Sequence, residues 1–214
     1  MRGFESARPC RPAVARRLES RALNRNLRTA KPRLTAGMVA QTPPALHASV
    51  TPSKAGTEAK PRAAKLRLEI AGEIDAAAIV VYFPKRLRIT NAGLPRCATS
   101  DDRIAAGACD RAKAGSGSAT VADNPFALTP LVGAEDLIFK GDSTVLHGTL
   151  SHASGRYTAK MRIELPDAWR PLSSLELSLG RIRRAATLFA TRGCPLPFKV
   201  KAGATVLTAA AKCR

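Results

Sequence analysis

Aromatic residues are scarce in this sequence. Phe, Trp and Tyr make up 4% of its 214 residues, which leaves little material for a base-stacking or sugar-stacking platform. Acidic residues are also short, with 16 against 35 lysines and arginines and a formal net charge of +19. Such a balance points to anionic partners (nucleic acid, membrane head groups or acidic glycans), or else to a surface that is merely solvated. Long apolar runs are missing: no stretch reaches the roughly 20 residues that a membrane-spanning helix needs. The N-terminal segment is charged and has no apolar h-region, so no secretory signal can be read there. Several chemical signatures are absent as well. There is no C-x-x-C. Gly115-Ser116-Gly117 lacks the lysine of a phosphate-binding loop, and Ser116 does not sit in a G-x-S-x-G elbow.

What the sequence does contain is alternation. Leu66, Leu68 and Ile70 alternate with Arg67 and Glu69, a period of two that turns one face to a core and the other to water. Ile79 to Phe83 is a short apolar run rich in β-branched and aromatic residues, stopped by Pro84. Leu87 and Ile89 resume the alternation with Arg86 and Arg88. Further strands are predicted at 46–50, at 136–140 running into the Gly141-Asp142 turn, and at 144–150 as its hairpin partner. Others are predicted at 159–165, 175–179, 185–191 and 196–209, the last with a turn at Ala202-Gly203. Pro125 and Pro130 flank Phe126-Ala127-Leu128. Ser100, Asp101 and Asp102 open a short helix that Gly107 ends. No βαβ alternation and no internal repeat is visible. Short strands broken by Gly, Pro, Asp and Ser predict an all-β, Greek-key, immunoglobulin-like sandwich.

Residues 1–45 are expected to be a disordered, arginine-rich tail and linker, and residues 46–214 the β-sandwich domain. The tail carries Arg2, Arg8, Arg11, Arg16, Arg17, Arg21, Arg25, Arg28 and Arg33, with Pro9, Pro12 and Pro32 interrupting any helix. A targeting presequence, or a segment that is never translated, would look similar.

The cysteines divide into Cys10 and two local pairs, Cys97 with Cys109 and Cys194 with Cys213. Neither pair has the knuckle spacing of a structural zinc site. Two disulfides are expected, and with them an oxidising compartment. The missing h-region conflicts with that expectation.

Thr51-Pro52-Ser53-Lys54-Ala55-Gly56-Thr57 stands ahead of K-L-R-L. The motifs F-P-K-R-L-R-I, L-P-R-C and G-S-G-S-A follow, with Cys194-Pro195 running to Cys213 at the end. In this order the motifs resemble a group of uncharacterised exported bacterial proteins over about Leu46 to Arg214. The resemblance implies export and transfers no activity. The sequence departs from that group in its arginine-rich start and its missing export signal.

No catalytic residue, cofactor or metal ligand is assigned. His147 and His152, with Asp142 upstream, could be drawn into a Ser-His-Asp set, but geometry and not sequence proximity defines one. The adjacent carboxylates Asp101-Asp102 and Glu135-Asp136 sit in predicted loops and caps, where neighbours point apart. Arg86 and Arg88, on one strand face, and Arg181, Arg183 and Arg184 are the candidate anion-binding residues. The expected role is a non-enzymatic module, extracellular or in the cell envelope, binding an anionic surface polymer or another envelope protein through loops at one end of the scaffold. Two other readings stand beside it. One is a basic nucleic-acid-binding protein using the arginine-rich tail, and the other is a hydrolase with a histidine-based site.

Overall fold

Alternating side chains become strands wherever one face can be buried, and the described residues are mostly strand. The computed structural model describes residues 43–180, 182–183 and 186–212. They fall in one compact unit, Ala40–Arg214. The predicted tail, with Cys10, lies outside the described residues apart from its last few positions.

The first strands are β1 (Ala45–Thr51), β2 (Arg62–Ile74), β3 (Ala78–Pro84) and β4 (Leu87–Ile89). In β2, Ala64, Leu66, Leu68 and Ile70 are buried, while Lys65 and Arg67 face solvent, as the period of two predicts. The apolar run of β3 also alternates: Ile79, Val81 and Phe83 are fully buried, whereas Val80 and Tyr82 are only half-buried on the opposite face. A short helix, α1 (Asp101–Ala105), follows with its two acids in the first turn. Gly107 ends it at φ +93, a backbone conformation glycine adopts without penalty.

β5 (Gly115–Val121), β6 (Asn124–Val132), β7 (Asp136–Lys140), β8 (Val145–His152) and β9 (Tyr157–Glu164) form an antiparallel meander, each paired with the next. β10 (Leu172–Leu179), β11 (Ile182–Arg183), β12 (Ala186–Thr187), β13 (Phe189–Thr191), β14 (Leu196–Ala202) and β15 (Thr205–Ala211) complete the chain. β10 lies between β5 and β2, and β3 lies between β9 and β14, so neighbours in the sheet are often distant in sequence. The small residues of G-S-G-S have a packing role at the start of β5, where a Cβ on Gly117 would stand 2.7 Å from the Glu176 carbonyl oxygen.

Two differences from the sequence reading concern prolines. Pro125 and Pro130 do not bound a short segment; both lie inside β6. The first half of β6 pairs with β5 and the second, from Thr129, pairs with β7. At this changeover the missing N–H of Pro130 is tolerated, and its carbonyl accepts the Ala114 N–H at 2.7 Å. One thirteen-stranded sheet therefore runs continuously through β6, with more strands than immunoglobulin proportions would give. Its inward residues form the main core, which draws on β1 to β10 and β13 to β15.

Candidate functional site

Three features could carry function: a histidine bridged by two carboxylates, a cavity beside it, and a cationic face on the outside of the sheet.

His147 lies on β8 directly opposite Ile138 of β7. Two residues along β7, Asp136 reaches diagonally to it, Oδ2 lying 2.6 Å from Nδ1. On the other side of the ring, Asp101 Oδ1 of α1 lies 3.1 Å from Nε2. One acid from each adjacent pair thus meets the same imidazole, and Asp142 is not the partner. α1 is brought there by the Cys97–Cys109 disulfide, whose Cα atoms stand 5.4 Å apart. A small second core of Cys97, Ile104, Ala112, Leu131 and Ile138 also holds it. A neutral imidazole can donate to only one of the two acids, so both contacts favour the cation. The Asp136 bond raises the His147 pKa above its ordinary value most, partial burial opposes it, and Asp101 adds to the rise.

A raised folded-state pKa means that the clamp stabilises the protein fully below the unfolded value of about 6.5. That contribution is lost as pH rises through the folded pKa. The melting-temperature gap between the native chain and His147→Ala should therefore be widest in mild acid and should narrow toward alkaline pH. Thermal melts across that range check this; a gap that is constant with pH would show that the clamp is not charged.

The cavity, of about 370 Å³, has Val132, Leu137, Leu150 and Leu188 among its walls and Asn91, Asp136, Ser151 and His152 at its polar margin. His152 is the last residue of β8. Among the described residues no hydrogen bond joins Ser151, His152 and Asp136. Nor do any three His, Cys, Asp or Glu side chains among them converge on a metal position.

The predicted arginine ladder does not form as expected. Lys85 and Arg86 make the turn between β3 and β4, strands that pair with different neighbours. Arg86 is therefore off the strand. Its guanidinium donates to the Cys194 carbonyl, and its own carbonyl accepts the Arg192 N–H at 2.8 Å. Arg88 is exposed alone on β4. Arg183 belongs to the two-residue β11, and Arg181 and Arg184 lie outside the described residues. Cys194 is disulfide-bonded; Cys213, its predicted partner, lies outside the described residues.

The cationic face comes from residues that sequence reading passed over. In register across β15, β14, β3, β9 and β8 run Thr208, Lys199, Tyr82, Lys160 and Ser151. The adjacent row is Val206, Lys201, Val80, Arg162 and Thr149. Much of this surface forms a shallow depression of about 590 Å³. The Lys199 ammonium sits 3.9 Å above the Tyr82 ring centroid, and the Tyr157 ring packs tilted against Tyr82 at 5.4 Å. Glu164 pairs with Arg162 through both carboxylate oxygens. Among the described residues, no carboxylate lies within ion-pair distance of Lys160, Lys199 or Lys201. The signal was present in the sequence: K-M-R and K-V-K each place two cations on one strand face with a buried residue between them.

No family model, no curated protein and no solved structure matches this chain, so the likeness to exported proteins rests on the sequence motifs alone. Among the described residues no helix is long and apolar enough to cross a membrane.

Proposed function

We propose that this chain is a non-enzymatic exported module, working outside the cell or in its envelope, whose β scaffold presents a binding surface. The observation that carries this reading is the Cys97–Cys109 disulfide. It closes the loop that holds α1, and such a bond persists in oxidising compartments and is rare where glutathione keeps thiols reduced. Cys194 is also disulfide-bonded, which points the same way. The histidine chemistry supports a structural role. A general base needs an unengaged ring nitrogen near a substrate proton, and both nitrogens of His147 face carboxylates. His147 therefore works as a tether joining α1, β7 and β8.

The test uses the full chain in its native host. Cells are fractionated, free thiols are blocked at once, and the intact mass is measured before and after reduction. Cys97, Cys109 and Cys194 should be protected until reductant is added, in protein recovered from outside the cytoplasm. Recovery from the cytoplasm with those thiols already blocked would overturn the reading.

A further inference from the structure

We infer that the outer face built by β14, β3, β9 and β8 binds a linear acidic polysaccharide, with Lys160, Lys199, Lys201 and Arg162 taking its carboxylates. This rests on the exported-module reading for the compartment in which such a polymer is met. It places binding on a sheet face and not on the loops at one end of the scaffold.

The spacing of the cations favours an extended anion as the occupant. β14 and β9 are separated by β3. Lys199 and Lys160 are therefore rooted about 10 Å apart, as are Lys201 and Arg162, at roughly 4.8 Å per strand step. Along each strand the two cations are rooted about 7 Å apart, two residues at roughly 3.3 Å each. Four charges rooted at the corners of such a rectangle are spread along the face as well as across it. They suit a ligand whose anionic groups recur along its length.

The floor between the charges selects among polyanions. It is apolar at its centre, with Ala78, Val80 and Tyr82, and carries the hydroxyls of Thr149 and Ser151 along one margin. A chain of acidic sugars offers the matching set: carboxylates at intervals, hydroxyls between them and C–H faces below. Nucleic acid fits less well. Single-strand readers stack bases on open aromatic faces, and here the Tyr82 ring lies under the Lys199 ammonium and against Tyr157. A lipid surface fits less well too, because interfacial binding needs a broad apolar face. Val206 is the only large apolar side chain among the described residues that is strongly exposed.

Charge complementarity gives the surface its direction. Three of the four cations have no acidic partner among the described residues, and the fourth shares Glu164. Glu164, two residues beyond Arg162 on β9, and Asp136, opposite Thr149, lie beside the rows, and Asp136 is engaged by His147. Across the strands, at roughly 10 Å and physiological salt, repulsion between these cations is largely screened, and along each strand, at about 7 Å, it is screened only in part, so an anion on the face would relieve it.

The test measures binding of the oxidised full chain to a fluorescently labelled polyuronate. Single-stranded oligothymidine and vesicles of phosphatidylglycerol in phosphatidylcholine serve as competitors. The polyuronate should bind, with affinity falling as salt rises. Lys160→Gln combined with Lys201→Gln should weaken it on the order of tenfold. Lys54→Gln combined with Lys60→Gln removes the same net charge from the exposed β1–β2 connection and should leave the affinity near that of the native chain. Lys160→Arg combined with Lys201→Arg should restore binding. Equal losses in the two Gln pairs would mean attraction by net charge alone and would overturn the proposal. So would tighter binding to oligothymidine or to the vesicles, or no polyuronate binding at low salt. The two readings fail separately. Face-dependent binding by a chain whose cysteines are reduced in its host leaves the site and removes the export reading, whereas an exported, oxidised chain that ignores polyuronate removes only the site.

Discussion

Phe83→Ala should lower stability by about 3–5 kcal/mol and melting temperature by roughly 6–20 °C for a domain of this size. Phe83 is fully buried near the end of β3. Its ring lies 6.1 Å from that of Phe189 and 6.5 Å, edge-on, from that of Phe198. β13, which carries Phe189, pairs with β2 and β4, while β3 and β14 pair with each other. The three rings thus join parts of the sheet that share no hydrogen bonds with one another. Truncation removes the apolar surface of one ring and leaves a hole that the neighbouring β backbones cannot close by moving together. Tyr82→Ala is the internal comparison. It is one residue earlier, on the outer face and half-buried, and should cost much less. Urea denaturation of both variants decides the matter; similar midpoints for the two would mean that the inward face of β3 has been misassigned.

That assignment was only partly legible in the sequence. The alternation of Leu66, Leu68 and Ile70 gave the face of β2 directly, because charged residues separate them. The run from Ile79 to Phe83 concealed its own alternation, since Val80 and Tyr82 are apolar although they face outward. Which strands become neighbours was not legible. β3 comes between β9 and β14, strands far away along the chain, and no local propensity encodes such a pairing. The cationic face was lost for that reason: K-M-R and K-V-K are ordinary solvated strands until β3 sets them side by side. The run of arginines at 181–184 is conspicuous in sequence because it is local. The His147 clamp divides in the same way. Its Asp136 contact follows from the β7–β8 hairpin, which the Gly141-Asp142 turn signals locally, and from the diagonal neighbours that antiparallel pairing creates. Its Asp101 contact spans 46 residues and depends on where a disulfide-closed loop comes to rest.

That dependence gives the second large effect. Removing the disulfide as Cys97→Ala with Cys109→Ala should cost about 3 kcal/mol in the loop-entropy account, and it should also lower the His147 pKa. The bond closes a loop with a sequence separation of 12, and α1, with Asp101, lies wholly inside it. Once the loop is open, α1 is held by buried Ile104 and by the Cys97-position backbone bond to the Val132 carbonyl, 2.7 Å long. A five-residue helix is too short to persist by itself. Asp101 should then spend less time against Nε2, and its contribution to the raised pKa should shrink. Asp136 should remain, because the β7–β8 hairpin places it without help from α1. Following the His147 ring protons by NMR through a pH titration separates these effects. The double-alanine chain should titrate lower than the native chain, and Asp136→Asn lower still, since the Asp136 bond is the largest cause of the rise. An unchanged His147 pKa in the double-alanine chain would show that Ile104 packing alone positions Asp101. The disulfide would then stabilise the fold without setting the charge on the clamp.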